Sequence, residues 1–163
     1  MREKHRQRLL LLFRDIFLIS LLLCINITFS HGAAETPDDD FEHFEDTPLV
    51  EPLSNPPWFK LTFLDLSEDL ADAIQNGKQG LIIYFGQKYC SYCKQLLEGN
   101  FGMSDIRTYT QKHFDVIGID IHGQREVTAL DGSLWNERSF SVRKKVHFTP
   151  TLIFLDRNRR EAL

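Results

Sequence analysis

Cysteine is scarce in this chain. Its 163 residues hold three, too few for a disulfide-stapled scaffold. One of them, Cys24, lies in an N-terminal apolar run. The other two stand three apart in Lys88-Tyr89-Cys90-Ser91-Tyr92-Cys93-Lys94, and there is no second CxxC. A structural zinc site takes four ligands, usually from a second Cys or His pair, and His113, His122 and His147 are scattered singles. A basic excess is also lacking. The net charge is −4, so nothing draws the chain to a polyanion and nucleic acid is excluded as a partner. No internal repeat is present. No apolar run reaches the ~20 residues that cross a bilayer comfortably. What remains is an ordinary globular balance, 42% apolar and 26% charged, in a length suited to one domain with extensions.

The N-terminus reads as an export signal. Arg2, Lys4, Arg6 and Arg8 form a basic head, and Ile16 to Phe29 is apolar except for Ser20, Asn26 and Thr28. Arg14 and Asp15 shorten that core. Gly32 and Ala34 offer the small residues that signal peptidase needs. Residues 1–34 are expected to be a signal peptide or an N-terminal anchor. Both outcomes leave the rest outside the cytoplasm, in the periplasm or an equivalent compartment, since the positive head stays inside. Leu21-Leu22-Leu23-Cys24 resembles a lipoprotein site, but Leu23 is too large for the residue before a lipidated cysteine. Residues 35–57 are acidic and hold five of the six prolines; they read as a disordered tether. His43 among those acids reads as solvated.

From Trp58 the pattern becomes that of a folded domain, 58–163. "WFKLTFL" alternates as a strand. Ser67 is placed to cap a helix over "EDLADAIQNG", with Leu70, Ala73 and Ile74 on one face and Gly77 as its stop. Gly80 to Gly86 is wholly apolar, a strand buried on both faces. "CKQLLEGN" continues as a helix. Ser104 precedes a second helical stretch, "DIRTYTQKHF". Asp115 to Ile121 is another buried strand, and His122 to Gly132 is a loop. "LWNERSFSVRKKV" is helical and amphipathic, Thr149 to Asp156 is a strand, and "RNRR" is a turn. Strands alternating with helices give an α/β sheet covered on both faces. Phe59, Phe63, Phe85, Phe114, Phe148 and Phe154 are expected in the core, and Trp135 is expected to be partly buried. Arg143-Lys144-Lys145 reads as a solvated helix end or as a docking patch for an acidic partner.

Three readings of the cysteines compete: a metal clip, a structural staple and a redox pair. A disulfide across four residues closes too small a loop to gain much chain entropy. The redox reading gains from the surroundings. The motif follows a buried strand and opens a helix, so Cys90 meets unpaired N–H groups that favour a thiolate. Lys88 and Lys94 add positive charge. Cys93, one turn on, is placed to resolve a mixed disulfide.

In these segments the chain resembles the thioredoxin superfamily. "LIIYFGQKYCSYCKQL" is similar to its strand, CxxC and active-site helix, and "VHFTPTLIFLD" to the segment holding its cis-proline. The likeness runs from about Pro57 to the end. "PPWFKLTF", "GIDIHGQREVTALDG" and "TPTLIFLD" resemble exported thioredoxins of the SoxW type. The resemblance implies a thioredoxin-like fold, a central mixed sheet with helices on both faces. It implies Cys90 as attacking thiol and Cys93 as resolving thiol, a redox-active disulfide. Pro150 would be the cis-proline, with Thr149 lining a groove where an extended substrate pairs strand-fashion. Tyr89, Ser91 and Tyr92 would complete the substrate-binding rim. No cofactor or metal is implied.

Two departures from cytoplasmic thioredoxins matter. Tyr84 stands where they carry a buried acid, so proton transfer to the resolving thiol falls to water, Glu98 or Asp120. Tyr89 stands where they carry Trp. Tyr92 resembles the tyrosine of exported reductases and isomerases, which implies a potential roughly between −270 and −180 mV. The expected activity is a protein-disulfide reductase or isomerase that works as a monomer on disulfide-bearing proteins, with a membrane-bound disulfide reductase as electron donor. Two alternatives are a copper-handling protein that uses the thiolates as soft ligands and a non-catalytic thioredoxin-shaped binding module. The family fold adds an edge strand and a final helix after the cis-proline strand, and the sequence is expected to be truncated before both.

Overall fold

The computed structural model describes residues 49–162. The expected signal segment 1–34 with Cys24, the tether residues 35–48 with His43, and Leu163 lie outside the described residues. Among the described residues no helix is long and apolar enough to cross a membrane.

Strand β1 (Gly80–Gly86) is buried along its whole length, as a run with no polar alternation must be. It pairs in parallel with β2 (Phe114–Asp120), from Gly80↔Phe114 to Gly86↔Asp120. On its other side it pairs antiparallel with a strand at Thr151–Asp156, with Phe85 opposite Thr151. This register brings the C-terminal ends of β1 and β2 to the same end of the sheet as the residues before Thr151. Everything that forms the site is collected there.

Side chains of β1 alternate between two cores, as period-2 geometry requires. Ile83 and Phe85 face Leu64, Leu66, Ile117, Ile119 and Phe140. Ile82 and Tyr84 face Phe59, Leu97, Phe101, Val116 and both cysteines. Helices α1 (Leu66–Gln75) and α4 (Glu137–Arg143) cover the first face. The second is covered by α2 (Ser91–Lys94), its π-helical continuation Gln95–Asn100, and α3 (Ser104–His113). A hairpin of β3 (Glu126–Thr128) and β4 (Leu134–Asn136) precedes α4. The main sheet is completed by β5 (Thr151–Asp156) and β6 (Glu161–Ala162), in the order β2-β1-β5-β6. This is the expected mixed sheet between helices.

Several local expectations are corrected. The cap of α1 is Asp65, not Ser67: Asp65 Oδ1 accepts from the N–H groups of Ser67 and Glu68, each at 3.0 Å. Of the expected helix face only Leu70 and Ala73 are buried. The helix does stop at Gly77, whose φ is +77°, a conformation glycine adopts without cost. Ser104 is the first helical residue rather than the cap. "WFKLTFL" is not a strand: Trp58 and Phe59 lie in a turn, and Leu64 has a φ of +64°. Lys60 N–H donates to Val116 O at 2.8 Å, while Lys60 Nζ meets Asp69 and Asp72, each at 2.9 Å, and Thr62 Oγ1 donates to Asp69. Side-chain ties to α1 thus replace a backbone ladder to β2.

The stretch 122–136 is not all loop, because β3 and β4 pair through Val127↔Trp135. The helix expected from Leu134 starts only at Glu137. Asn136 and Ser139 form a reciprocal capping box there, which sets the start. Phe63 and Phe148 are in solvent and Phe154 is partly so, whereas Phe59 and Phe85 are buried. Phe154 lies on the opposite face of β5 from Ile153 and Leu155 and meets Phe114 edge-on at 5.8 Å. Leu53, placed in the expected tether, donates its N–H to Lys88 O at 2.7 Å and packs beside Trp58 against the cysteine-bearing core. The folded region therefore reaches back before Trp58. At the edge beside β5 only two residues of a further strand are described: β6 pairs with β5 through Phe154↔Ala162 and Leu155↔Glu161.

Candidate active site

The site starts where β1 runs out. Gln87, Lys88 and Tyr89 turn the chain, and Cys90 takes the cap position of α2 with extended backbone. Cys90 Sγ accepts the N–H of Cys93 at 3.0 Å. A Ser or Asp cap makes the same contact with oxygen, so the CxxC spacing places one sulfur on the N–H of the other cysteine's residue. The two sulfurs are joined as a disulfide. Cys93 is fully buried, and Cys90 is 5% exposed. An incoming thiolate therefore finds Cys90 first.

The segment before β5 closes over Cys90. The Thr149–Pro150 peptide bond is cis. Thr149 Oγ1 lies 3.4 Å from Cys90 Sγ and its carbonyl oxygen 3.7 Å away. Gln87 Nε2 donates to Thr149 Oγ1 at 3.2 Å, and Gln87 Oε1 meets His122 Nε2 at 3.0 Å. His122 is carried there by the turn after β2, where Ile121 N–H donates to Gly86 O at 2.9 Å. The same turn has His122 N–H donating to Asp120 Oδ1 at 2.9 Å. Of the three single histidines, His122 thus joins the site, while His113 lies tilted against Tyr109 at 4.3 Å and His147 lies beside Phe148.

Behind this turn sits a buried acid. Glu137 is 2% exposed. Its carboxylate accepts from Asp120 N–H at 3.0 Å, from Arg125 N–H at 3.2 Å and from Arg125 Nη2 at 2.6 Å. It ties α4 and the chain before β3 to the end of β2. A cavity of about 370 Å³ opens between this cluster and the end of β1, lined in part by Tyr84, Gln87, Lys88 and Asp120. Tyr84 packs in the same core as both cysteines. Burial first, and then the nearby Asp120 carboxylate, push its phenol up to about 12. A Cβ on Gly86 would sit 2.2 Å from the Tyr84 hydroxyl, so glycine is required there for the ring to lie along the strand end.

Of the residues expected at the site, Cys90, Cys93, Thr149 and Pro150 are brought together. Tyr89 and Tyr92 are more than half exposed, and Ser91 is half-buried in the first turn of α2. Glu98 is exposed and paired with Lys94 at 3.8 Å, whereas Asp120 acts on Tyr84. The Arg143-Lys144-Lys145 stretch is only partly a solvated end. Arg143 lies over the half-buried Trp135 ring at 5.0 Å, and Lys144 pairs with Glu161. Sequence reasoning missed two contributors: Gln87 and Glu137. Gln87 was signalled by its place between strand and motif. Nothing local marks Glu137 as buried. Among the described residues no cluster of His, Cys, Asp or Glu side chains could hold a metal ion.

A helix-capping CxxC disulfide, set against a cis-proline loop at one end of a mixed sheet, defines a dithiol redox site of thioredoxin type. The chain belongs to the thioredoxin-like family, whose domain model matches residues 66–162. No curated protein matches the sequence. Among solved structures, one titled DsbH oxidoreductase is similar at 17% identity and a TM-score of 0.45, covering 68% of this chain and 76% of its own. Family membership and the Cys90–Cys93 disulfide together support a thiol–disulfide oxidoreductase.

Proposed function

We propose that this protein is an extracytoplasmic reductase or isomerase of protein disulfides, of the exported SoxW type and active as a monomer. The observation that carries the reading is the placement of Cys90 Sγ, whose residue keeps a 5% exposure while Cys93 is fully buried, and which accepts the Cys93 N–H at 3.0 Å and stands beside Thr149. The N-terminal basic head and apolar core support export, and "GIDIHGQREVTALDG" supports the SoxW assignment.

The reaction balances over two thiol exchanges. The Cys90 thiolate attacks one sulfur of a substrate disulfide. A Cys90–substrate S–S bond forms, and the other substrate sulfur leaves as a thiolate and takes a proton. Cys93, deprotonated, then attacks Cys90 Sγ, the second substrate thiolate leaves, and the Cys90–Cys93 disulfide remains. Two electrons have passed to the substrate. Regeneration needs a dithiol donor, which we assign to a membrane-bound disulfide reductase. Its thiolate attacks Cys90 Sγ, expelling Cys93, and its second thiol resolves the mixed disulfide.

Thr149 and Pro150 form one wall of the substrate groove in this reading, and Tyr89, Ser91, Tyr92 and the exposed Phe148 form its rim. Aromatic side chains suit an unfolded polypeptide because they offer large contact area at low entropy cost. The test is reduction of insulin with a chemical dithiol as donor. Cys90→Ser should abolish turnover, and unchanged turnover in Cys90→Ser would remove the reading.

A further inference from the structure

The geometry points to His122 as a positioning residue for the Cys90 thiolate, acting through a directed hydrogen-bond chain that runs His122–Gln87–Thr149–Cys90. It rests on the reading of Cys90 as the attacking thiol and adds a means of setting its reactivity.

The direction of the chain follows from the amide in its middle. Gln87 gives its Nε2 hydrogen to Thr149 Oγ1 at 3.2 Å. Its Oε1 is therefore the atom facing His122 Nε2 at 3.0 Å, and an amide oxygen can only accept. His122 must present Nε2–H. With its oxygen already accepting from Gln87, the Thr149 hydroxyl turns its own hydrogen to the neighbouring sulfur, 3.4 Å away. Each group donates toward Cys90, so each bond polarises the next in the same sense. The form of Cys90 that gains is the anion, because a hydrogen bond offered to the charged state lowers the pKa of a thiol.

The histidine is held for this task from two sides. The backbone N–H of His122 binds Asp120 Oδ1, and the backbone N–H of Asp120 binds the buried Glu137 carboxylate. The preceding residue is fastened to the end of β1 through Ile121 N–H and Gly86 O. The other charged groups around the Gln87 side of the chain are Lys88, Asp120, Arg125 and Glu137, with Arg125 and Glu137 paired to each other. None of these lies between His122 and the sulfur in the chain of contacts, so the imidazole is coupled to Cys90 through Gln87.

The test is the pH dependence of iodoacetamide alkylation at Cys90, followed on the Cys90 peptide by mass spectrometry in the reduced full chain carrying Cys93→Ser. Losing a donor at the far end should raise the midpoint in His122→Phe by about half a pH unit, and losing the hydroxyl itself in Thr149→Val by about one unit. His122→Asn restores a donor for Gln87 Oε1 and should recover part of the shift. Gln87→Glu has no hydrogen to give and draws the Thr149 hydroxyl to itself, so it should behave like Thr149→Val. Thermal unfolding of each variant separates these shifts from loss of the fold. A midpoint that stays put in both His122→Phe and Gln87→Glu, or that falls in His122→Phe, overturns the assignment. Alkylation needs no protein substrate, so that result leaves insulin turnover standing, and a failure of insulin turnover leaves this titration readable.

Discussion

Cys90 Sγ and Thr149 Oγ1 stand 3.4 Å apart although 59 residues separate them in the chain. The contact is a product of sheet register. Phe85 opposite Thr151 in β5, together with the cis bond before Pro150, brings Thr149 over the start of α2. Any change that slides β5 against β1 would separate the two atoms and dismantle the site while leaving both cysteines in place.

Tyr84 links the core beneath the cysteines to stability at alkaline pH. Its phenol titrates near 12 in the folded chain against about 10 when unfolded. The folded state therefore binds the proton more tightly. The stabilisation is whole below pH 10 and is lost as pH rises from about 10 to about 12. Two pH units correspond to about 2–3 kcal/mol. Urea midpoints measured at pH 8.5 and pH 11.5 should fall more in the native chain than in Tyr84→Phe. Equal falls would show that the phenol does not carry the dependence.

Glu137 predicts a cost out of proportion to its distance from the sulfurs. Glu137→Ala leaves the Asp120 and Arg125 N–H groups without their buried acceptor, and removing one partner of a buried charged cluster costs about 3 kcal/mol or more. Glu137→Gln keeps an acceptor and should cost less. Urea unfolding at neutral pH reads both. A loss under about 0.5 kcal/mol in Glu137→Ala, the range of ordinary surface substitutions, would contradict the structural role.

Phe148 separates substrate binding from chemistry. Its ring is 76% exposed, beside the residue that touches Cys90. Phe148→Ala should raise the KM for an unfolded protein about fivefold, the equivalent of roughly 1 kcal/mol of aromatic contact. Alkylation of Cys90 by a small reagent should not change. A kcat effect without a KM effect would take Phe148 out of the groove.

How much of this was legible beforehand depends on whether a residue's role is set locally. The run Gly80 to Gly86 has no polar residue to face water, so its burial was readable, and with it the sheet. The CxxC after such a strand fixed Cys90 at a helix start. Less local features were not readable. "WFKLTFL" carries a strand-like pattern, but Lys60 and Thr62 spend their side chains on Asp69 and Asp72, a choice made by the fold. The start of α4 moved because the Asn136–Ser139 box outcompeted the amphipathic pattern of Leu134 and Trp135. Phe148 looked like a core residue because its aromatic side chain says nothing of the loop that holds it out. Glu137 and Gln87 act only through partners from other elements, which no neighbouring residue announces.

The most direct test of the whole account is capture at Cys90. Cys93→Ser removes the resolving thiol, so the first exchange should stop at a covalent complex. The Cys93→Ser protein, exposed to a disulfide-bonded protein, should form a dithiothreitol-sensitive adduct mapped by mass spectrometry to Cys90. The corresponding Cys90→Ser protein should form none through Cys93, which is wholly buried. Adducts at Cys93 in place of Cys90, or none in either variant, would contradict it.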